Sequence, residues 1–185
     1  MLTTTAYCPP LHWFTEAHRV GRWTWEAHEN YQKGGWRNRC RIMTANGPLL
    51  LSIPLQGGKH QQQPIQEVLI DYRTDWQRQH AQTVRSAYGR SPYFDFYGDE
   101  VLQLLHHQSP TLWDYNLHLT NGLLGLLHSS LSIGVSLSFA GGAAGEKVPG
   151  GSAPRYRQVF EERHGFVGGL SVLDGLFCLG PAVVT

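Results

Sequence analysis

The chain has 185 residues, 41% of them apolar and 16% charged, and its 15 basic and 14 acidic side chains leave a formal net charge of +1. That length fits one domain with enough apolar residues for a core, which excludes a disordered chain, and the near-zero charge excludes a general polyanion binder. Three scattered cysteines, Cys8, Cys40 and Cys178, with no CxxC pair, exclude a disulfide framework.

The opening Met1–Pro10 has neither a basic start nor an apolar run, so no signal peptide is expected. Pro9-Pro10 form a turn, and Leu11–Arg19 reads as a short helix with the prolines where its first turn tolerates them. Arg22–Ala27 alternates: Arg22, Thr24 and Glu26 face one way, Trp23, Trp25 and Ala27 the other, as in a strand. His28 continues the polar face, and Lys33-Gly34-Gly35 breaks it. Arg37–Met43 is strand-like again, with Arg37, Arg39 and Arg41 on one face and Asn38, Cys40 and Ile42 on the other. Ala45-Asn46-Gly47 signals a hairpin into the apolar strand Pro48–Leu55. Gln56–Pro64 reads as a polar loop and Ile65–Tyr72 as a further strand.

The pattern then turns helical. Asp75 is an N-cap candidate, with Trp76, His80, Val84 and Ala87 on the apolar stripe and Gln77, Arg78, Gln82 and Arg85 elsewhere. Ser91-Pro92 opens a second helix to Leu105, and Ser109-Pro110 a third from Leu112 to about Leu127. Ser130–Phe139 alternates like a strand, and residues 140–154 are rich in Gly, Ala and Pro, as a flexible loop is. In the tail, Gly165 is a C-cap candidate and Leu170–Leu179 reads as helical from Ser171. The apolar-leaning Leu123–Phe139 is too interrupted for a membrane span, which needs about 20 apolar residues. The expectation is a cytoplasmic single domain over 1–185. Its fold class is α/β, with mixed α+β as the alternative, an N-terminal mixed sheet preceding a helical region.

The densest run of reactive side chains is His28-Glu-Asn-Tyr-Gln-Lys33 followed by Arg37-Asn-Arg-Cys40. His28 is the best general base, because imidazole titrates near neutral pH, and Glu26 lies two residues away on the same face to tune it. Arg37 and Lys33 are natural clamps for a phosphate or carboxylate, and Asn38 can hydrogen-bond a developing oxyanion. The bland alternative is an ordinary hydrophilic hairpin; the aromatics Trp23, Trp25 and Trp36 favour a pocket instead. Cys40 is a nucleophile candidate, but its parity with Ile42 fits a small buried hydrophobe better. His80 reads first as a core histidine and second as a catalytic one. Asp114 and His118 have the spacing of an intrahelical pair, and no HxxxH, HExxH or Cys/His cluster is present, so no metal is expected. Gly141–Lys147 lacks the spacing of a phosphate loop, so no nucleotide cofactor is expected either.

Several of these motifs resemble the WbqC-like family. They are Tyr7-Cys-Pro-Pro10, His28–Lys33, Arg37–Cys40, Asn46-Gly47 with Ser52-Ile-Pro54, Trp76-Gln77 with His80, and Ala87-Tyr88 with Ser91-Pro92. Phe160–Phe166 and Leu170–Asp174 with Leu176-Phe177 complete the set. Gly168-Gly169 departs from the Pro-Asn common in relatives, and 136–154 is atypical. The resemblance implies a bacterial protein of O-antigen, polysaccharide or secondary-metabolite gene clusters, with a suggested transfer of an acyl or aminoacyl (glycyl-type) group to an amine. Carried over by motif, the residues are His28, Tyr31, Lys33, Arg37, Asn38, Arg39, His80 and Glu161. The expected partners are an amine or amino sugar and an acyl or peptidyl carrier protein. Two alternatives stand beside transfer: a non-catalytic accessory that binds a small molecule or sugar nucleotide, and a hydrolase using His28.

Overall fold

A computed structural model describes residues 1–57, 63–141 and 155–184. Most of the expected loop at 140–154, and the Gly58–His60 part of the earlier polar loop, lie outside the described residues. The chain is a mixed α/β protein, but its strands form two small sheets. β1 (Leu2–Thr3), β2 (Trp23–Trp25) and β5 (Ile133–Val135) make a parallel sheet in the order β1-β2-β5. β3 (Arg39–Thr44) and β4 (Gly47–Ser52) make a separate antiparallel hairpin around Ala45-Asn46.

Between these strands run helices α1 (Leu11–Val20), α2 (Trp76–Tyr88), α3 (Phe94–His106) and α4 (Leu112–Leu126), and after β5 come α5 (Glu161–His164) and α6 (Val172–Leu179). α1 ends at Gly21, whose φ of 75° is the left-handed conformation a glycine cap supplies. Thr111 caps α4 by accepting from the Asp114 amide at 3.1 Å. Asp75 stands at the N-cap of α2 without a capping bond, its carboxylate 3.6 Å from Arg78 instead. The Trp76–His80–Val84–Ala87 stripe is buried as its spacing predicts.

The parity of β2 puts Trp23 and Trp25 into the core, where indoles meet edge to face: Trp13–Trp23 at 6.4 Å, Trp23–Trp25 at 6.5 Å and Trp25–Trp113 at 5.7 Å. α6 closes the other side against α1. The buried Asp174 carboxylate of α6 accepts from Tyr88 Oη at 2.9 Å and Tyr156 Oη at 2.6 Å, and burial raises its pKa.

Four expectations need correction. Glu26, on the polar parity of β2, is fully buried, because its carboxylate accepts from the His28 amide, Ser136 Oγ and the Ala140 amide. Burial opposes its ionisation, yet those three donors hold the carboxyl below its ordinary value. Gln77 is buried too, its amide donating to the terminal carbonyls of α3 at Leu105 and His107. Ile65–Tyr72 is a 3-10 turn (Ile65–Glu67) with single bridges, Leu55–Ile70 and Leu69–Thr111, rather than a strand. The late strand keeps only Ile133–Val135; beyond it Glu26 captures the chain, and Leu137 and Phe139, with no layer facing them, stay exposed.

Candidate functional site

The 28–40 segment is a loop between β2 and β3, and two devices shape it. The first is a bridge to the chain after β4: the Tyr31 amide donates to Gln63 O at 2.8 Å and the Ile65 amide to Glu29 O at 3.0 Å. The second is a buried ion pair across the loop's own neck. Arg37 Nη2 meets Glu29 Oε2 at 2.6 Å and Arg37 Nε meets Oε1 at 3.0 Å, both residues over nine-tenths buried. Burial raises the Glu29 carboxyl above its ordinary value, and the Arg37 bonds oppose that rise. Gly34, at φ 90°, turns the loop between the paired residues. Asn116 of α4 then ties the loop to the core by donating to Arg37 O at 2.7 Å.

Held this way, the loop forms one wall of a cavity of about 300 Å³. Tyr31, Lys33, Asn38 and Arg39 face Ile53, Pro54, Leu55 and Gln56 beyond β4, with Gln63 and Val68 closing the third side. Asn38 is fixed at both ends of its amide: Oδ1 accepts from Tyr31 Oη at 3.1 Å and Nδ2 donates to Ile53 O at 2.9 Å. Burial raises the Tyr31 phenol above its ordinary value, against a smaller downward pull from Arg39 and Arg37, so it remains a proton donor. The Arg39 Nε atom is buried and has no hydrogen-bond partner among the described residues. Two cations and a phenol line the cavity, and no carboxylate among the described residues does. A volume at the lower end of the usual range of about 300–1,000 Å³ suits a small metabolite.

The cavity thus gathers Tyr31, Lys33, Asn38 and Arg39 from the sequence candidates. The others lie elsewhere. His28 is exposed and outside the lining, and Glu26 engages its main-chain amide. Arg37 is occupied by Glu29. Cys40 faces the core beside Ile42, as parity predicts, with the equally buried Cys8 as a neighbour. Trp25 belongs to the indole array, and the half-buried Trp36 contributes its carbonyl to the Tyr7 and Arg39 amides. Glu161, 3.4 Å from Arg155, starts α5, whose His164 Nε2 lies 3.0 Å from Ala45 O at the hairpin turn. That turn is the far end of the hairpin from Arg39, roughly 20 Å at about 3.3 Å per strand residue. Gln56, Gln63 and Val68 were not identified from sequence. Ile53 and Pro54 belong to the Ser52-Ile-Pro54 motif, which was the one signal pointing to that wall.

His80 is buried in the core, its Nδ1 2.9 Å from Tyr7 Oη and its ring edge-on to Trp76 at 5.2 Å. Burial lowers its pKa to about 4. The folded state therefore favours the neutral ring: this contribution to stability is complete above the ordinary value of 6.5 and is lost as pH falls toward 4. In an NMR titration the His80 ring signals are expected to stay unchanged between pH 7.5 and about 5.5; a midpoint near 6.5 would contradict the buried environment.

Comparisons with known proteins agree with the motif reading. The model of the WbqC-like protein family matches residues 5–148, which include every residue of the cavity. The chain is also 30% identical over 186 aligned positions to the uncharacterized protein Rv1507c of Mycobacterium tuberculosis, covering 81% of this chain and 80% of that protein. No solved structure matches. Among the described residues no helix is long and apolar enough to cross a membrane. With its family model spanning most of its length, the chain belongs to the WbqC-like protein family.

Proposed function

We propose that the protein binds a small anionic metabolite in the Tyr31–Lys33–Asn38–Arg39 cavity, in the biosynthetic setting that the family resemblance implies. The observation that carries this reading is charge without counter-charge: Lys33 and Arg39 line the cavity, and among the described residues Arg39 Nε has no partner and no acidic side chain lines the cavity. A phosphate or carboxylate supplies an acceptor for the half-buried Arg39 guanidinium. Calorimetric titration with a phosphate monoester tests it. Saturable binding that weakens in Lys33→Ala and falls with added salt is expected; heats no larger than dilution at millimolar ligand would refute it.

A second reading, amide-forming acyl transfer at the same cavity, has a specific observation in its favour. The protonated Tyr31 phenol and the fixed Asn38 carboxamide stand side by side, and one Asn38 Nδ2 hydrogen is left over to meet a developing oxyanion. In this scheme the acceptor amine attacks the acyl carbon of a carrier-bound thioester, the carbon–sulfur bond breaks, and the thiol leaves with the proton that the amine gives up, while the Tyr31 hydroxyl holds Asn38 Oδ1 in place. Water relays that proton, because among the described residues no imidazole or carboxylate lines the cavity. Incubation with carrier-bound acyl donors and amines, followed by mass analysis, separates the readings. Amide product supports transfer, free acid without amine supports hydrolysis, and a bound ligand with no turnover leaves binding alone.

A further inference from the structure

We infer that the ligand of this cavity is a hydroxylated anion that carries no ammonium group: a polyol phosphate or a hydroxy acid rather than an amino acid or an amine phosphate. The inference rests on the anion-binding reading above and narrows it by counting what the walls offer besides positive charge.

Two glutamines line the cavity, and the orientation of each amide follows from its partner. Gln56 Nε2 donates to Ile70 O at 3.0 Å, and Gln63 Nε2 donates to Glu67 O at 2.6 Å. Both partners are carbonyl oxygens, so only the NH2 end of each amide can meet them. What Gln56 and Gln63 retain for a ligand is therefore the acceptor end, Oε1, beside one remaining hydrogen on each Nε2. Tyr31 cannot add a free donor without releasing Asn38, to which its hydroxyl is committed. The cavity thus presents cationic donors at Lys33 and Arg39 and neutral acceptors at the two glutamines. A ligand that matches both sets has an anionic head and neighbouring hydroxyl donors.

An ammonium group can donate to the glutamine oxygens, but the cationic set repels it. It would sit in the field of Lys33 and Arg39 with no lining carboxylate among the described residues to offset the repulsion, since Glu29, the acid of this loop, is taken by Arg37. Like charges within a few ångströms in a partly desolvated site cost more than an amide carbonyl returns. The apolar wall of Ile53, Pro54, Leu55 and Val68 accepts the carbon skeleton.

The test titrates the full chain with three phosphate monoesters of similar size: glycerol 3-phosphate, propyl phosphate and O-phosphoethanolamine. Lactate, propionate and alanine repeat the series on a carboxylate head and show which head group the site takes. Within a series the hydroxylated anion is expected to bind at least 10-fold tighter than the ammonium-bearing one, with the plain anion between them. In Gln56→Leu, with an unchanged Tm as the check that loss of the bond to Ile70 O leaves the fold standing, the advantage of glycerol 3-phosphate over propyl phosphate is expected to shrink. Equal or tighter binding of phosphoethanolamine or alanine would overturn the inference and leave the anion site standing. Failure of all six probes to bind would remove the anion site and this inference together.

Discussion

Single substitutions in the Glu29–Arg37 pair are expected to destabilise the protein by about 3–5 kcal/mol, because each leaves the partner's charge buried and unpaired. For a chain of this length that corresponds to a fall in Tm of roughly 6–20 °C. Glu29→Gln strands the guanidinium, and Arg37→Met strands a carboxylate that burial already pushes toward its neutral form. The double variant Glu29→Gln/Arg37→Met removes both charges and is expected to recover most of the lost stability, as replaced buried pairs commonly do. Ligand binding should not recover with it. The bidentate pair spans the neck of the loop that carries Tyr31, Lys33 and Asn38, and methionine opposite glutamine closes that neck without fixing its geometry. Thermal melts of the four proteins with phosphate-monoester titrations measure both effects. If the single variants melt within about 2 °C of the parent, the pair is not the brace described.

Arg39→Met is expected to weaken anion binding by about 10- to 100-fold, with Tm nearly unchanged. A hydrogen bond between charged groups contributes roughly 1.5–3 kcal/mol, and each 1.4 kcal/mol is a factor of ten in affinity. Unlike Arg37, Arg39 makes no ion pair among the described residues, and its Nε is unpartnered, so the fold loses little when it goes. Methionine preserves the aliphatic stem that packs along the strand. The contrast between neighbours two residues apart is the discriminating result: loss of stability at Arg37, loss of affinity at Arg39. Parent-like affinity in Arg39→Met would take this guanidinium out of the site.

Those two arginines also show how far periodicity reaches. Arg37, Arg39 and Arg41 share a strand face by parity, yet β3 starts only at Arg39. Arg37 lies in the loop, where alternation no longer governs direction, and it turns inward to Glu29. Arg41 donates to Gly168 O, and Arg39 alone of the three lines the cavity. His28 makes the same point. It follows the polar parity of β2, but Glu26 binds its main-chain amide while the imidazole stays at the surface outside the cavity.

Local chemistry written in the chain was sufficient for the helical stripes, the two-tryptophan face of β2, the core-facing Cys40 and Ile42, the Ala45-Asn46 turn and the family itself, because each depends on neighbours within a few residues or on motif order. Only the tertiary structure decided which polar groups would be covered and which segments would face one another. The burial of Glu26 depends on Ser136 and Ala140, more than a hundred positions away, and the cavity exists because Gln63 and Ile65 bond to the Tyr31–Glu29 backbone. Alternation tells which way a side chain points; what stands opposite it is a long-range pairing that no local pattern encodes.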